Sequence, residues 1–220
     1  MAKAAEGAPT GTAILSVQER IAARLANVDK STQAPTSKRI SVKGSKFTLP
    51  DGKTSDGPLN CVIVDYINTN AFYPGAYNPN DIQPPVCSAV GRDLETMGPV
   101  ESATSVSTHC KGCPNNEFGS AGRGKACGNA ITLALLPEGY DGTSELLTIK
   151  VSATGISGWS SYVRSLAGQG VDPMQVVTSI DFKPGVTYPS LIFKSIGGNE
   201  SLDIAGQFMT VADSMLNAAT

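Results

Sequence analysis

Four of the five cysteines stand as C-x22-C-x2-C-x13-C, at Cys87, Cys110, Cys113 and Cys127, with Gly112 inside the C-x-x-C and Pro114 directly after it. Four thiolates complete a tetrahedral zinc shell, and a C-x-x-C supplies two ligands from one tight turn whose backbone amides can reach the sulfurs. Residues 88–130 around them hold few periodic apolar residues, so metal binding is expected to supply the free energy that orders the segment. The spacing predicts one structural Zn2+ held by these four residues. An iron–sulfur cluster also accepts four cysteines and is the second reading, with a metal-free dithiol the third. His109, the single histidine, could replace one cysteine, although adjacent residues in a short knuckle rarely both reach one metal. Cys61 lies in the apolar run NCVIV and reads as a small buried hydrophobe. A shell closed by four sulfurs leaves no position for water, and one histidine leaves no triad to assemble, so no enzymatic activity is expected.

The rest of the chain has enough apolar material for a core: 40% of its 220 residues are hydrophobic. Only 16% are charged, and 23 Gly and 14 Pro interrupt it, which disfavours a helical bundle and favours strands and turns. No run approaches the ~20 apolar residues of a membrane span, and no signal-peptide order is present at the start, so a soluble cytoplasmic protein is expected. A net charge of -2 excludes coating nucleic acid by bulk charge, and such a role would need a local patch.

Along the chain, residues 1–39 read as a flexible N-terminal segment: a short amphipathic helix on Ile14, Val17, Ile21 and Leu25, then a Ser/Thr/Pro-rich linker. The folded body is expected from Ile40 to 220. Strand patterns occupy 40–49, 59–73, 130–136 and 146–153. PGAYNPNDIQPP (74–85) is a loop. A short helix over 157–170, capped by Ser157 and ended by Gly168, carries Trp159, Tyr162, Val163 and Leu166 near one face. A hairpin over 176–182 and 187–196 and a C-terminal amphipathic helix on Leu202, Ala205, Phe208, Met209, Ala212 and Met215 complete the order. Strands, one helix and a final hairpin predict a mainly β, α+β fold, an OB-like Greek-key barrel with a metal-binding insertion at 84–130 and short terminal helices, although with at least one strand beyond the minimal five. The terminal helices are read as packing or homo-oligomer contacts.

PPVCSAVG followed by CKGCPNNEFGSAGRGKACGN resembles the motif of a family of phage and prophage proteins, roughly PP-x-C, a spacer, C-x-x-C-P-x-N-x-F-G-S, then G-K-G-K-A-C. The similarity extends more loosely to GWSSYVRSLAGQG, TSIDF and YPSLIF, and covers about half the chain. It implies a phage protein with a metal-bound loop, and by association with replication modules it implies single-stranded DNA binding on an OB-like barrel, with replication or recombination proteins as partners. The chain departs from the pattern at Val86, where an acidic residue is common, and at Gly128-Asn129-Ala130, where a basic run is more usual.

Single-strand binding needs cations that follow phosphates and rings on which bases stack. The candidate cations are Lys38, Arg39, Lys43 and Lys46 at the start of the body and Lys111, Arg123 and Lys125 in the cysteine segment. Tyr73 and Tyr77, in the Pro- and Gly-rich loop, are the first candidates for stacking. Phe118 is expected to form a miniature core of the metal loop, and Trp159 and Tyr162 to be core residues. The second functional class is a zinc-stabilised structural or adaptor protein making protein contacts in a phage assembly.

Overall fold

The computed structural model describes residues 38–218 apart from 76, 77, 79, 101–103 and 105. The expected N-terminal helix, the linker up to residue 37 and Tyr77 lie outside the described residues. The elements are β1 (Lys38–Lys43), β2 (Lys46–Thr48), β3 (Thr54–Ser55), β4 (Leu59–Phe72), β5 (Cys87–Gly91), β6 (Cys127–Pro137), β7 (Leu147–Ser152), α1 (Ala153–Ala167), β8 (Val176–Phe182), β9 (Leu191–Gly198), α2 (Leu202–Gln207) and α3 (Met209–Asn217). They form one curled, mixed sheet, a half-barrel, in the order β3-β2-β1-β7-β6-β4-β8-β9, with β5 also paired to β4. The chain is therefore mainly β with few helices. Among the described residues no helix is long and apolar enough to cross a membrane.

Several expected boundaries move for local reasons. The pattern read as one strand over 40–49 is a hairpin, broken where Gly44 and Ser45 take positive φ. It begins at Lys38, so Lys38 and Arg39 belong to the sheet and not to a linker. α1 starts directly after β7, with Ser152 and not Ser157 at its N-cap, and ends on Gly168. The C-terminal helix divides at Phe208, and Ala205, Ala212 and Leu216 are its buried residues, while Met209 is exposed. β5 lies within the expected excursion of 84–130 and is part of the sheet, paired with β4 from Asn68↔Gly91 to Phe72↔Cys87.

β4 organises both sides. Its register against β6 slips between Ile63 and Asp65, so alternation changes phase there. Before the slip Cys61 and Ile63 enter the core under α1, and after it Tyr66 does, while Val62, Val64 and Ile67 enter the second core. The first core is aromatic: Trp159 of α1 meets Tyr66 and Phe193 edge-on, each at 5.1 Å between ring centroids. Tyr162 also turns inward, and its hydroxyl lies 2.6 Å from that of Thr178, which is fully buried. The second core lies on the opposite face, where α2 and α3 bury Ala205, Ala212 and Leu216 against Val62, Val64, Ala134 and Leu136. Arg92 ties this layer down: its guanidinium donates to both Asp65 carboxylate oxygens at 2.6 and 2.7 Å and to Asp213 of α3 at 2.6 Å.

Tyr162→Phe removes one partner and leaves the Thr178 hydroxyl buried without a hydrogen bond, so stability measured by urea unfolding is expected to fall by about 1–3 kcal/mol. Pairing it with Thr178→Val should recover most of that loss.

Candidate functional site

The phase slip in β4 decides which side the cysteine loop occupies. Beyond it, Asn68, Asn70 and Phe72 share the α1 face of the sheet. Cys87 at the start of β5 and Cys127 at the start of β6 are each the register partner of Phe72, one on either side. Directly opposed residues project from the same face, so both thiols stand beside Phe72. Between them the chain leaves the sheet and returns with the knuckle Cys110-Lys111-Gly112-Cys113. The knuckle is anchored by the Cys110 amide donating to the Met97 carbonyl at 2.8 Å. Gly98 permits this approach, because a Cβ there would lie 2.6 Å from the Thr108 carbonyl oxygen. Inside the knuckle Gly112 has φ +74, the left-handed conformation that lets the turn close. Pro114–Asn116 continues as one 3-10 turn, and the Asn116 side-chain amide donates to the Cys110 carbonyl at 2.8 Å.

Cys87, Cys110, Cys113 and Cys127 line one small cavity of about 20 Å³, with Asn70, Phe72 and His109 also on its wall. Asn70 is buried and hydrogen-bonds the Cys110 sulfur, which favours the thiolate. Its oxygen accepts from Asn129 at 2.7 Å, and Asn129 reaches Asn116 at 2.9 Å, so one amide chain fixes the sheet to the knuckle. Burial, and then the charges of Cys87 and Cys113, push the Cys110 thiol up. Burial, with the charges of Cys110, Cys113 and Cys87, pushes Cys127 up to about 11. A cation bound among these thiolates would relieve their mutual repulsion, and the donor set, all sulfur, fits zinc and also an iron–sulfur cluster. The side chains are not drawn into a ready shell: among the described residues no group of three or more His, Cys, Asp or Glu stands as a formed ion site. Zinc at about 2.3 Å from each sulfur would require the thiols to converge on the cavity. Cys61 is remote in kind: fully buried in the first core, with burial raising its thiol to about 12.

The structure separates the sequence-predicted cations. Lys38 pairs with Glu145 and Lys111 with Glu95. Lys125 donates to Asn116 at 3.3 Å, and Arg123 is exposed in the same loop. Lys111 and Lys125 line a broad groove of about 880 Å³ beside α1, balanced there by Glu95 and Glu117. Phe118, expected as the core of the metal loop, is 80% exposed on this groove, because the amide chain and the sheet wall take the place of a ring. Lys43 and Lys46 face one another across the β1–β2 hairpin, both exposed.

Arg39 and Tyr73 do come together. Both line a cleft of about 290 Å³ on the sheet face opposite α1, walled by Thr69, Ser88, Thr132, Thr148 and Lys150. No carboxylate lines it among the described residues. α2 and α3 cover the apolar half of this face, and no other described helix covers this polar half. Sequence reasoning missed Lys150, Thr132 and Thr148; the signal for their face is the polar phase of LTIKVS for Thr148 and Lys150 and of AITLALL for Thr132. Comparison of the chain with protein-family models, with curated proteins and with solved structures gave no match.

At pH 8 a thiol raised to about 12 is ionised in about one molecule in ten thousand. Cys61 is therefore expected to resist iodoacetamide in the native protein and to react only on unfolding, read by mass spectrometry of the peptides. Native modification of Cys61 at the rate of a free thiol would contradict its burial.

Proposed function

We propose that the protein binds single-stranded nucleic acid, chiefly DNA, without catalysis and with little sequence preference, in phage replication or recombination, on a scaffold whose cysteine loop is held by structural Zn2+. The observation that carries the reading is a hydroxyl-lined cleft with no carboxylate on its wall among the described residues, shared by Arg39 and the half-exposed ring of Tyr73. Cations neutralise phosphates, hydroxyls donate to them, and an exposed ring stacks any base, which is sequence-tolerant chemistry. A curled sheet with one helix between β7 and β8 supports the OB-like description of the fold. The resemblance of the cysteine segment to phage proteins supports the biological setting.

A second reading, a zinc-stabilised adaptor making protein contacts, is favoured by the groove beside α1. Phe118 and Leu94 are 80% and 59% exposed there, beside charges of both signs, as at protein interfaces.

Binding of a labelled oligonucleotide across a salt series separates the two. Counterion release predicts that log affinity falls linearly with log salt, and the single strand should bind more tightly than the duplex. Tyr73→Ala is expected to weaken binding by about 1–3 kcal/mol with little change in that slope. Equal affinity for single strand and duplex, or none for either, would remove the reading.

Metal analysis of the purified protein is expected to give one zinc per chain. Replacing any one of Cys87, Cys110, Cys113 or Cys127 by Ser should abolish it and release the segment between β5 and β6 to proteolysis, with the sheet retained. Cys61→Ala should keep the full zinc content. The visible absorption of an iron–sulfur cluster would replace zinc by the alternative cofactor.

A further inference from the structure

On the open sheet face the side chains of Arg39 and Lys150 have no counter-charge among the described residues. β1 and β7 run parallel with Arg39 beside Thr148, and Lys150 follows two residues later on the same face. The two cations together line two depressions. One, of about 290 Å³, runs toward Tyr73. The other, of about 180 Å³, runs toward Ser152 and Pro189. Neither has a carboxylate on its wall among the described residues. What sets this pair apart is that both cations stand on the walls of the same two depressions.

We propose that Arg39 and Lys150 form a phosphate-anchoring site at the saddle between these two depressions, over which a single strand passes on its way to Tyr73. The assignment rests on the nucleic-acid reading above and deepens it. Two like charges held side by side oppose each other, and partial desolvation against the cleft wall, together with the charge of Arg39, pushes the surface-exposed Lys150 ammonium below its ordinary value. A phosphate placed between them relieves that repulsion, and the Thr132 and Thr148 hydroxyls stand on the same cleft as further donors. Arg supplies a planar fork and Lys a point charge, a combination suited to phosphate oxygens. The depressions on both sides leave room for the chain to continue in each direction, which distinguishes a strand from an isolated anion.

The test is the salt dependence of labelled oligothymidylate binding by the full chain, with Arg39→Gln, Lys150→Gln and the double variant, and with inorganic tripolyphosphate as a second ligand. Each single change is expected to flatten the log–log slope by about 0.7 and the double change by about 1.4, the contribution of one and two single-strand phosphate contacts. Lys150→Arg should keep the wild-type slope. Both side chains are exposed, so an unchanged thermal midpoint checks that the variants are folded. Oligothymidylate binding with the same slope in the double variant overturns the site and leaves the nucleic-acid reading standing. Tripolyphosphate bound by wild type and lost in the double variant, without oligonucleotide binding, keeps an anion site and overturns the nucleic-acid reading. Binding of neither ligand by wild type overturns both.

Discussion

The one-residue phase slip in β4 is the constraint on which the rest of the arrangement depends. β4 pairs with β5, β6 and β8, so a change in its alternation is transmitted to the central neighbours. Because side chains on a strand alternate with period two, a strand without the slip would send either Ile63 or Phe72 to the wrong face. With it, the first part of β4 fills the aromatic core under α1, and the second part turns Asn70 and Phe72 toward the cysteines. The same slip leaves Val64 and Asp65 on the other side, where Asp65 meets Arg92 and Arg92 meets Asp213.

Each face is consequently divided into two parts. On one, α1 lies over the apolar residues and the cysteine segment over the sheet end. On the other, α2 and α3 cover Val62, Val64, Ala134 and Leu136, and the chain beyond them is polar: Thr69, Thr132, Thr148, Ser88. Helices settle on the apolar halves because burial there is favourable at roughly 25 cal/mol per Å², and hydroxyl-bearing halves are left to water and ligands. An open polar surface among the described residues thus arises from where the helices end.

The cysteine site and the sheet cleft are built on the same strands but differ in chemistry. At the first, the four cysteines with Asn70 and Asn116 border about 20 Å³, and Asn129 links those two amides from outside the cavity. At the second, hydroxyls and cations border open depressions. Asn70 lines both, and its side chain is committed to the amide chain on the cysteine side.

Strand and helix positions were legible because their signals are local: alternation in LNCVIVDYINTNAF, the helical recurrence of Trp159, Tyr162 and Leu166, and the stop at Gly168. The cysteine quartet was legible as a set because spacing and residue type are read along the chain. What the linear pattern could not carry was phase across strands. It grouped Lys38 and Arg39 as one patch, yet adjacent strand residues face opposite sides, and Lys38 went to Glu145 while Arg39 joined Tyr73. It offered Phe118 as a core ring, although a chain of asparagine amides does that work. The polar phase of LTIKVS shows which face Lys150 takes but not that Arg39 stands beside it, since that depends on β1 lying alongside in parallel. The sequence by itself determined most of the longer elements, the set of four cysteines and the apolar residues available for burial, because these follow from short-range periodicity and side-chain chemistry, while β5 and the β1–β2 hairpin were not legible in it. Tertiary structure alone decided which face each residue occupies and which cations keep a carboxylate partner, because register, the slip in β4 and the reach of the covering helices are properties of pairing between distant segments.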